Sequence, residues 1–267
     1  MPRDLAALIK EDTLQGMPQL TKSPEAVDDR SPGMDATDEE GMLNSYQPVR
    51  TSRDELHPYT QTLSISDVDS CTKLEEEAFP PHERCTREKF QYRLRRCGEL
   101  SMGIFTSHSD GDIPTAHTST PVYSGAPQRK AVLLGHIVAT KSMNQTVTDN
   151  DMMIPSPDAS QEDPNIGHNE EGRTVCIHSL AVLPDYQKRG LGRTLMEAYL
   201  HRMETHGVAD RAALIAHANL IPFYESFGFK NLGQSACKFG CGGWYDLVKE
   251  LKSGSGGASE MYDTPDA

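Results

Sequence analysis

Aromatic residues are scarce in this chain. They make up 6% of its 267 residues, with a single tryptophan, and only 36% of the residues are apolar. The length leaves room for one or two domains, but so little apolar material builds one core plus polar extras. Long apolar runs are missing as well. No stretch of about 20 apolar residues is there to cross a bilayer, and no apolar h-region marks a secretory signal. The six cysteines, at positions 71, 85, 97, 176, 237 and 241, form no C-x-x-C pair. Neither a disulfide framework nor a zinc site with paired ligand spacing is therefore expected. These absences point to a reducing, cytoplasmic setting, with access to the nucleus left open, and to no membrane partner and no metal.

Positive charge is also in short supply, and the formal net charge is −13. The deficit is concentrated in three polar segments. Residues 1–56 carry 12 acids against 6 bases, residues 142–172 carry 7 acids and no Lys or Arg, and residues 253–267 carry 3 acids and no base. What remains is slightly basic, so the acidity serves solubility rather than a cationic partner. No basic face with interleaved aromatics is present, which excludes the usual nucleic-acid footprint. Residues 1–56 hold too few large apolar side chains to offset their ordering entropy, and a disordered N-terminal segment is expected there. The stretch SGSGGASEMYDTPDA, residues 253–267, reads as a linker-like disordered tail. A single domain over 57–252 is left, with polar insertions at 107–128 and 142–172. The second insertion, long and bearing proline, is expected to be disordered or an active-site flap.

Two phosphate-binding signatures are absent. No GxxxxGK[ST] string occurs, and Leu195 stands where a dinucleotide fingerprint needs its third glycine. What is present is a strand, a glycine loop and a helix over Val175–Met203. Val175, Ile177, Leu180, Val182 and Leu183 suit a buried strand that Pro184 and Asp185 stop. Gln187-Lys188-Arg189-Gly190-Leu191-Gly192 then precedes an amphipathic run with Leu191, Leu195, Ala198 and Tyr199 at helical spacing. The loop falls where the first helical N–H groups lack partners, and its glycines admit an anion close to the backbone. Lys188, Arg189 and Arg193 add positive charge. A basic helix start with ordinary glycine turns is the plainer alternative.

The remaining pattern alternates strands with helices. A strand at Thr62–Ile65 leads, through a cap at Ser66 or Asp67, to a helix over Val68–Ala78 with Val68, Cys71, Leu74 and Ala78 on one face. Phe79-Pro80-Pro81 ends it. A helix over Thr86–Cys97, strands at Leu100–Thr106 and Lys130–Thr140, and a strand at Ala212–Ala216 follow. A helix over Leu220–Phe227 and strands at Phe229–Gly233 and near Trp244–Val248 complete an α/β (α+β) domain.

The segment containing Gln187–Gly192 resembles motif A of the GNAT acetyltransferase superfamily, and Ala213–Phe229 resembles its motif B. EEEAFP (Glu75–Pro80), GELSMGIF (Gly98–Phe105), GRTVCIHSLAV (Gly172–Val182) and IPFYESFGF (Ile221–Phe229) resemble, more narrowly, the serotonin (arylalkylamine) N-acetyltransferases and their fungal polyamine-acetylating relatives. The resemblance implies the GNAT fold, a mixed central sheet flanked by helices, with acetyl-CoA as co-substrate and a small-molecule amine as acceptor. By the same resemblance the coenzyme contacts Leu180, Ala181, Val182, Gln187, Lys188, Arg189, Gly190, Leu191, Gly192, Arg193, Asn219 and Tyr224.

The chemistry assigns the remaining roles. An amine must be neutral to attack a thioester, and with a pKa of about 10.4 it is neutral in roughly one molecule per thousand near pH 7. His178 is the candidate base, and strict alternation puts it on one strand face with Cys176 and Leu180, opposite Ile177 and Ser179. The related enzymes carry H-x-H here, whereas this chain reads Cys176-Ile177-His178. His178 then works alone or Cys176 plays a minor part. By the resemblance of IPFYESFGF to the superfamily's motif, Tyr224 is the candidate acid for the leaving thiolate. Phe79 and Ile215 match substrate-wall positions of the animal enzymes. Glu75, Glu76, Glu77 and Glu83 suit either a polyamine's second ammonium or a solvated helix face. Two further readings stay open: a protein lysine or N-terminal acetyltransferase, and a non-catalytic acyl-CoA-binding regulator. Arg30-Ser31-Pro32 and Arg50-Thr51-Ser52 are weak sites for a phosphorylation-dependent adaptor.

Overall fold

The computed structural model describes residues 56–108, 112–122, 128–156, 163 and 165–252. The tail at 253–267, most of segment 1–56 and both adaptor candidates lie outside the described residues. Seven strands form one sheet in the order β1-β2-β3-β4-β5-β7-β6. These are β1 Tyr59–Thr62, β2 Met102–His108, β3 Lys130–Ser142, β4 Thr174–Val182, β5 Arg211–Ala216, β6 Lys230–Gln234 and β7 Tyr245–Glu250. Every pairing is antiparallel except β4 with β5. The helices are α1 Val68–Ala78, α2 Arg87–Cys97, α3 Asp149–Met152, α4 Leu191–Thr205 and α5 Ile221–Glu225. None of the described helices is long and apolar enough to cross a membrane.

Long apolar strands are the centre of this sheet for the usual reason that both faces are covered. Val132 to Ala139 of β3 are all buried. Against them pack Leu74 of α1, Phe90 of α2, and Leu195 and Tyr199 of α4, all without solvent exposure. A buried tyrosine hydroxyl needs a partner, and Tyr199 donates to the Leu100 carbonyl at 2.9 Å. A second, smaller apolar cluster joins Val147, Met152, Cys176, Ala213 and Cys237.

Several elements depart from the periodicity reading, each through local side-chain chemistry. The first strand ends at Thr62 and not Ile65, because the Ser64 amide and hydroxyl both donate to Asp67 Oδ2 at 2.8 Å and draw Ile65–Asp67 into a 3₁₀ turn. Gly98–Leu100 forms another 3₁₀ turn, so β2 starts at Met102. Insertion 107–128 holds a built element. Its 3₁₀ turn Pro114–His117 is tied down by Thr115, whose hydroxyl donates to the Leu133 carbonyl at 2.5 Å. Insertion 142–172 holds α3, capped by Thr148 and Asp151, with the Thr148 amide donating to Asp151 Oδ2 at 2.8 Å. Residues 109–111, 123–127, 157–162 and 164 of these insertions lie outside the described residues.

Two irregularities at β4 open the sheet. Its parallel ladder with β5 runs only from Thr174↔Arg211 to Ile177↔Leu214. Beyond Ile177 the two strands have no register, and β4 continues alone on that side to Val182. On its other side, Val138↔Ser179 is followed by Ala139↔Ile177, so His178 is the extra residue of a bulge. Bulges re-aim side chains. His178 and Ser179 therefore both reach the α1 and α3 side, His178 to Thr140 and Met152 and Ser179 to Glu75. Strict alternation, which puts Ser179 on the face opposite His178, fails at this one residue.

Candidate active site

The parting of β4 and β5 makes a cleft that is open to solvent. Ile177, His178, Ser179 and Leu180 form one wall, and Leu214, Ile215, Ala216 and His217 form the other. Phe79, Tyr224, Phe239 and Trp244 add aromatic surface, and Glu75, Glu83, Lys89 and Arg93 add charge. Of the residues singled out from sequence, His178, Leu180, Tyr224, Phe79 and Ile215 thus meet in one place.

His178 lines the cleft with both ring nitrogens engaged. Nε2 lies 2.7 Å from Thr140 Oγ1, and Nδ1 lies 3.1 Å from Met152 Sδ. Burial, aided by the charges of Arg93 and Lys89, holds its pKa well below the ordinary histidine value. The imidazole is therefore neutral, in its base form, across the physiological range. Tyr224 is buried at 7% exposure, and burial raises its pKa above the ordinary phenol value, so it stays protonated. Full transfer of that proton to a thiolate of pKa about 8.5 runs uphill. Its fitted role is to donate a hydrogen bond to a sulfur on which charge develops.

Cys176 does not reach the cleft. It is fully buried in the smaller apolar cluster, and burial pushes its thiol well above the usual value. A buried, protonated thiol is no base near neutrality. We expect Cys176→Ala to lower stability by about 1 kcal/mol through lost packing and to leave kcat/KM for an amine unchanged. Thermal melting together with initial rates checks both halves.

Four cleft groups went unremarked or misread in the sequence. Glu75 is 1% exposed, and its carboxylate accepts from the Cys85 amide at 3.0 Å and from Ser179 Oγ, with His136 Nε2 3.0 Å away. His136 Nδ1 is buried without a partner. With Nε2 as the donor to Glu75, Nδ1 is left as an orphan lone pair. Glu76 and Glu77 instead face solvent beside Lys73, so one acid of the run is buried and two are surface. Arg93 is 1% exposed and Lys89 half-buried, with its Nζ 4.8 Å from the Phe239 ring centroid. Glu83 lies 3.2 Å from His217 Nε2, and that imidazole stacks on Trp244 at 4.0 Å.

The glycine loop sits at the end of β4 where the helix begins. Gly190 is the N-cap of α4 at φ 81°, a left-handed conformation that suits glycine, and gives no side-chain cap. Lys188, also left-handed at φ 59°, turns the loop one step earlier. The first-turn N–H groups of Leu191, Gly192 and Arg193 precede any i−4 carbonyl of the helix. Gly192 is not there for packing: a Cβ built on it meets Val182 Cγ2 at 3.7 Å and Phe223 Cζ at 4.0 Å, ordinary contacts. Three of the loop's named side chains have partners within the protein, Arg189 lying over the Tyr186 ring at 5.1 Å. Gln187 Nε2 donates to the Val182 carbonyl at 3.0 Å and straps the loop to β4. Arg193 donates to Ser226 Oγ at 3.0 Å and covers the Phe227 ring. Asn219 stands in the 3₁₀ turn Ala218–Leu220, between the cleft-lining residues His217 and Leu220. Among the described residues no group of three or more His, Cys, Asp or Glu is arranged to hold a metal.

A sheet split beside a bulge, with a helix N-terminus at the split, defines a class. Residues 120–243 match the family model of the acetyltransferase (GNAT) domain. The chain carries a GNAT acetyltransferase domain, and its mixed seven-stranded sheet flanked by helices is the GNAT fold. Serotonin N-acetyltransferase of Mesocricetus auratus is 38% identical over 85 residues, 32% of this chain and 41% of the relative. The [Ribosomal protein bS18]-alanine N-acetyltransferase of Escherichia coli strain K12 is 42% identical over 57 residues, 21% of this chain and 38% of the relative. The matches thus span about two fifths of the length of these curated relatives. Among solved structures, the loading GNATL domain of CurA from Lyngbya majuscula superposes with a TM-score of 0.50 at 13% identity, covering 73% of this chain and 97% of that one. That likeness concerns the fold alone.

Proposed function

We propose that this chain is an acetyl-CoA-dependent N-acetyltransferase acting on a small primary amine of the arylalkylamine or polyamine class, in the cytoplasm. The observation that carries the reading is the junction of a first-turn anion cradle at Gly190–Arg193 with a cleft lined by His178 and Tyr224. Bound acetyl-CoA supplies the thioester carbonyl on which the amine acts. The first-turn amides of α4 hold its pyrophosphate, aided by Lys188 and Arg189. The edge of β4 beyond Ile177 offers backbone groups of Leu180 and Ala181 and the Val182 amide to the pantetheine arm, the Val182 carbonyl being held by Gln187.

His178 takes the proton that the neutral amine sheds as its nitrogen bonds the thioester carbonyl, at Nε2 and in exchange for the Thr140 contact. Making a primary amine neutral near pH 7 costs about 4 kcal/mol, and a positioned base recovers about 10²–10⁴ in rate. Thr140 fixes the ring, and the depressed pKa keeps it unprotonated and ready. Tyr224 donates a hydrogen bond to the departing sulfur. A second route to the proton rests on one contact, that of Ser179 Oγ with the buried Glu75 carboxylate at the same wall. The aromatic walls Phe79 and Trp244 favour an arylalkylamine over a polyamine. Release of coenzyme A thiol with tryptamine, spermine and a lysine-containing peptide, assayed side by side, tests the assignment. Turnover of the peptide alone would favour the protein-acetylating reading instead.

A further inference from the structure

Arg93 is the most anomalous side chain in the cleft. It projects from α2, lines the cavity, and is 1% exposed. Its guanidinium has five N–H donors, yet the bonds it makes are weak ones. Nη1 reaches Cys85 Sγ at 3.4 Å, Nη2 donates to the Met152 carbonyl at 3.3 Å, and Nε is buried with no partner. No carboxylate pairs with it among the described residues. Glu75, on the far side of Cys85, is already committed to Cys85, Ser179 and His136.

A buried unpaired charge is among the most expensive features a fold can hold, and arginine cannot escape by losing its proton. An apolar side chain of similar size would serve packing better. Lys89, one helical turn before Arg93, lines the same cavity, so two cations face one space. A second ammonium, as in a polyamine, would be repelled beside these two cations, and Glu83, the other acid of the lining besides Glu75, is turned to His217. A carboxylate would complete the guanidinium's bonding with the planar, two-pronged fit that Arg provides and Lys does not. Met152 fixes the scale, since its carbonyl meets Arg93 and its sulfur meets His178 Nδ1. The anion site and the proposed base are thus separated by the width of one residue.

We propose that Arg93, seconded by Lys89, binds a carboxylate on the acceptor, so that the preferred substrate is an amine bearing a carboxylate a few bonds from its nitrogen, as in an amino acid. This rests on the acetyl-transfer reading and narrows its substrate class.

The test compares matched pairs on the full chain: tryptophan with tryptamine, and phenylalanine with phenethylamine. Coenzyme A release gives rates, and calorimetric titration of each amine in the presence of coenzyme A gives binding without turnover. The carboxylated member of each pair should have the higher kcat/KM by about tenfold or more, the scale of a charge-assisted hydrogen bond. Arg93→Met should bring that ratio close to one, whatever common shift the lost charge near His178 gives both amines, and Arg93→Lys should keep part of it. A purely structural arginine would instead lower both members of a pair together. Wild-type preference for the decarboxylated amines, or an unchanged ratio in a folded Arg93→Met protein, overturns the proposal and leaves acetyl transfer standing. If Arg93→Met fails to fold, the wild-type ratio decides. If no amine is acetylated, the titration decides. Tryptophan binding in preference to tryptamine supports the carboxylate site while the acetyl-transfer reading falls, and binding of neither overturns both.

Discussion

Replacing Gly192 with valine is expected to raise the KM for acetyl-CoA by at least about tenfold, because a branched side chain there fills the space through which a pyrophosphate approaches the α4 amides. The melting temperature should stay close to wild type. The protein side of Gly192 tolerates a Cβ at 3.7 Å from Val182 Cγ2, and valine has a higher helix propensity than the glycine it replaces. Gly190 is a poorer place for the same test. Its φ of 81° means that any side chain strains the cap itself, so lost affinity and lost structure would be confounded. Coenzyme titration of folded Gly192→Val checks the expectation. Unchanged affinity would remove the cradle from the account.

His178→Gln is expected to lower kcat/KM for an amine by about 10²-fold or more at pH 7, with much of the loss recovered toward pH 10, where the solvent supplies neutral amine. The wild-type profile carries a further sign. A histidine whose pKa is depressed has already lost its proton well below pH 6.5, so raising the pH from 6 to 7 creates no additional base. The rate should rise with the amine's own deprotonation and show no inflection near the ordinary histidine pKa of about 6.5. An inflection there would mean that His178 is not enclosed as described. Ser179→Ala is the discriminating companion, since it breaks the Glu75 contact without stranding a buried carboxylate beside His136 and Cys85. A Ser179→Ala defect larger than that of His178→Gln would assign the proton to the Glu75 route.

The sequence made the elements and their order legible because apolar periodicity and caps are local. Thr86 capping α2 and Gly190 opening α4 lie where pattern and turn chemistry agree. The bulge was not legible. It depends on how β3 and β4 pair, and Cys176-Ile177-His178-Ser179-Leu180 alternates cleanly as a string. The bulge alone turns Ser179 toward Glu75. The two buried charges were within reach of the same helical spacing that located the helices. Glu75 falls four residues after Cys71 and seven after Val68, on the buried stripe of α1. Arg93 falls three after Phe90 and four before Cys97, on that of α2. A charge on an apolar stripe is a stronger signal than a run of like charges, and grouping Glu75 with Glu76 and Glu77 hid it. α3 carried a readable Thr148-x-x-Asp151 capping box. The acidic composition around it masked that signal.

The most direct measurement is the yield of N-acetylated amine, by mass spectrometry, against coenzyme A thiol released from acetyl-CoA by the full chain at pH 7.5 to 8. Acetylated small amine should appear in step with the thiol, with hydrolysis of acetyl-CoA in the absence of amine negligible by comparison. Thiol release that does not depend on amine, or coenzyme binding with no acetylated amine from any member of the panel, would contradict the account.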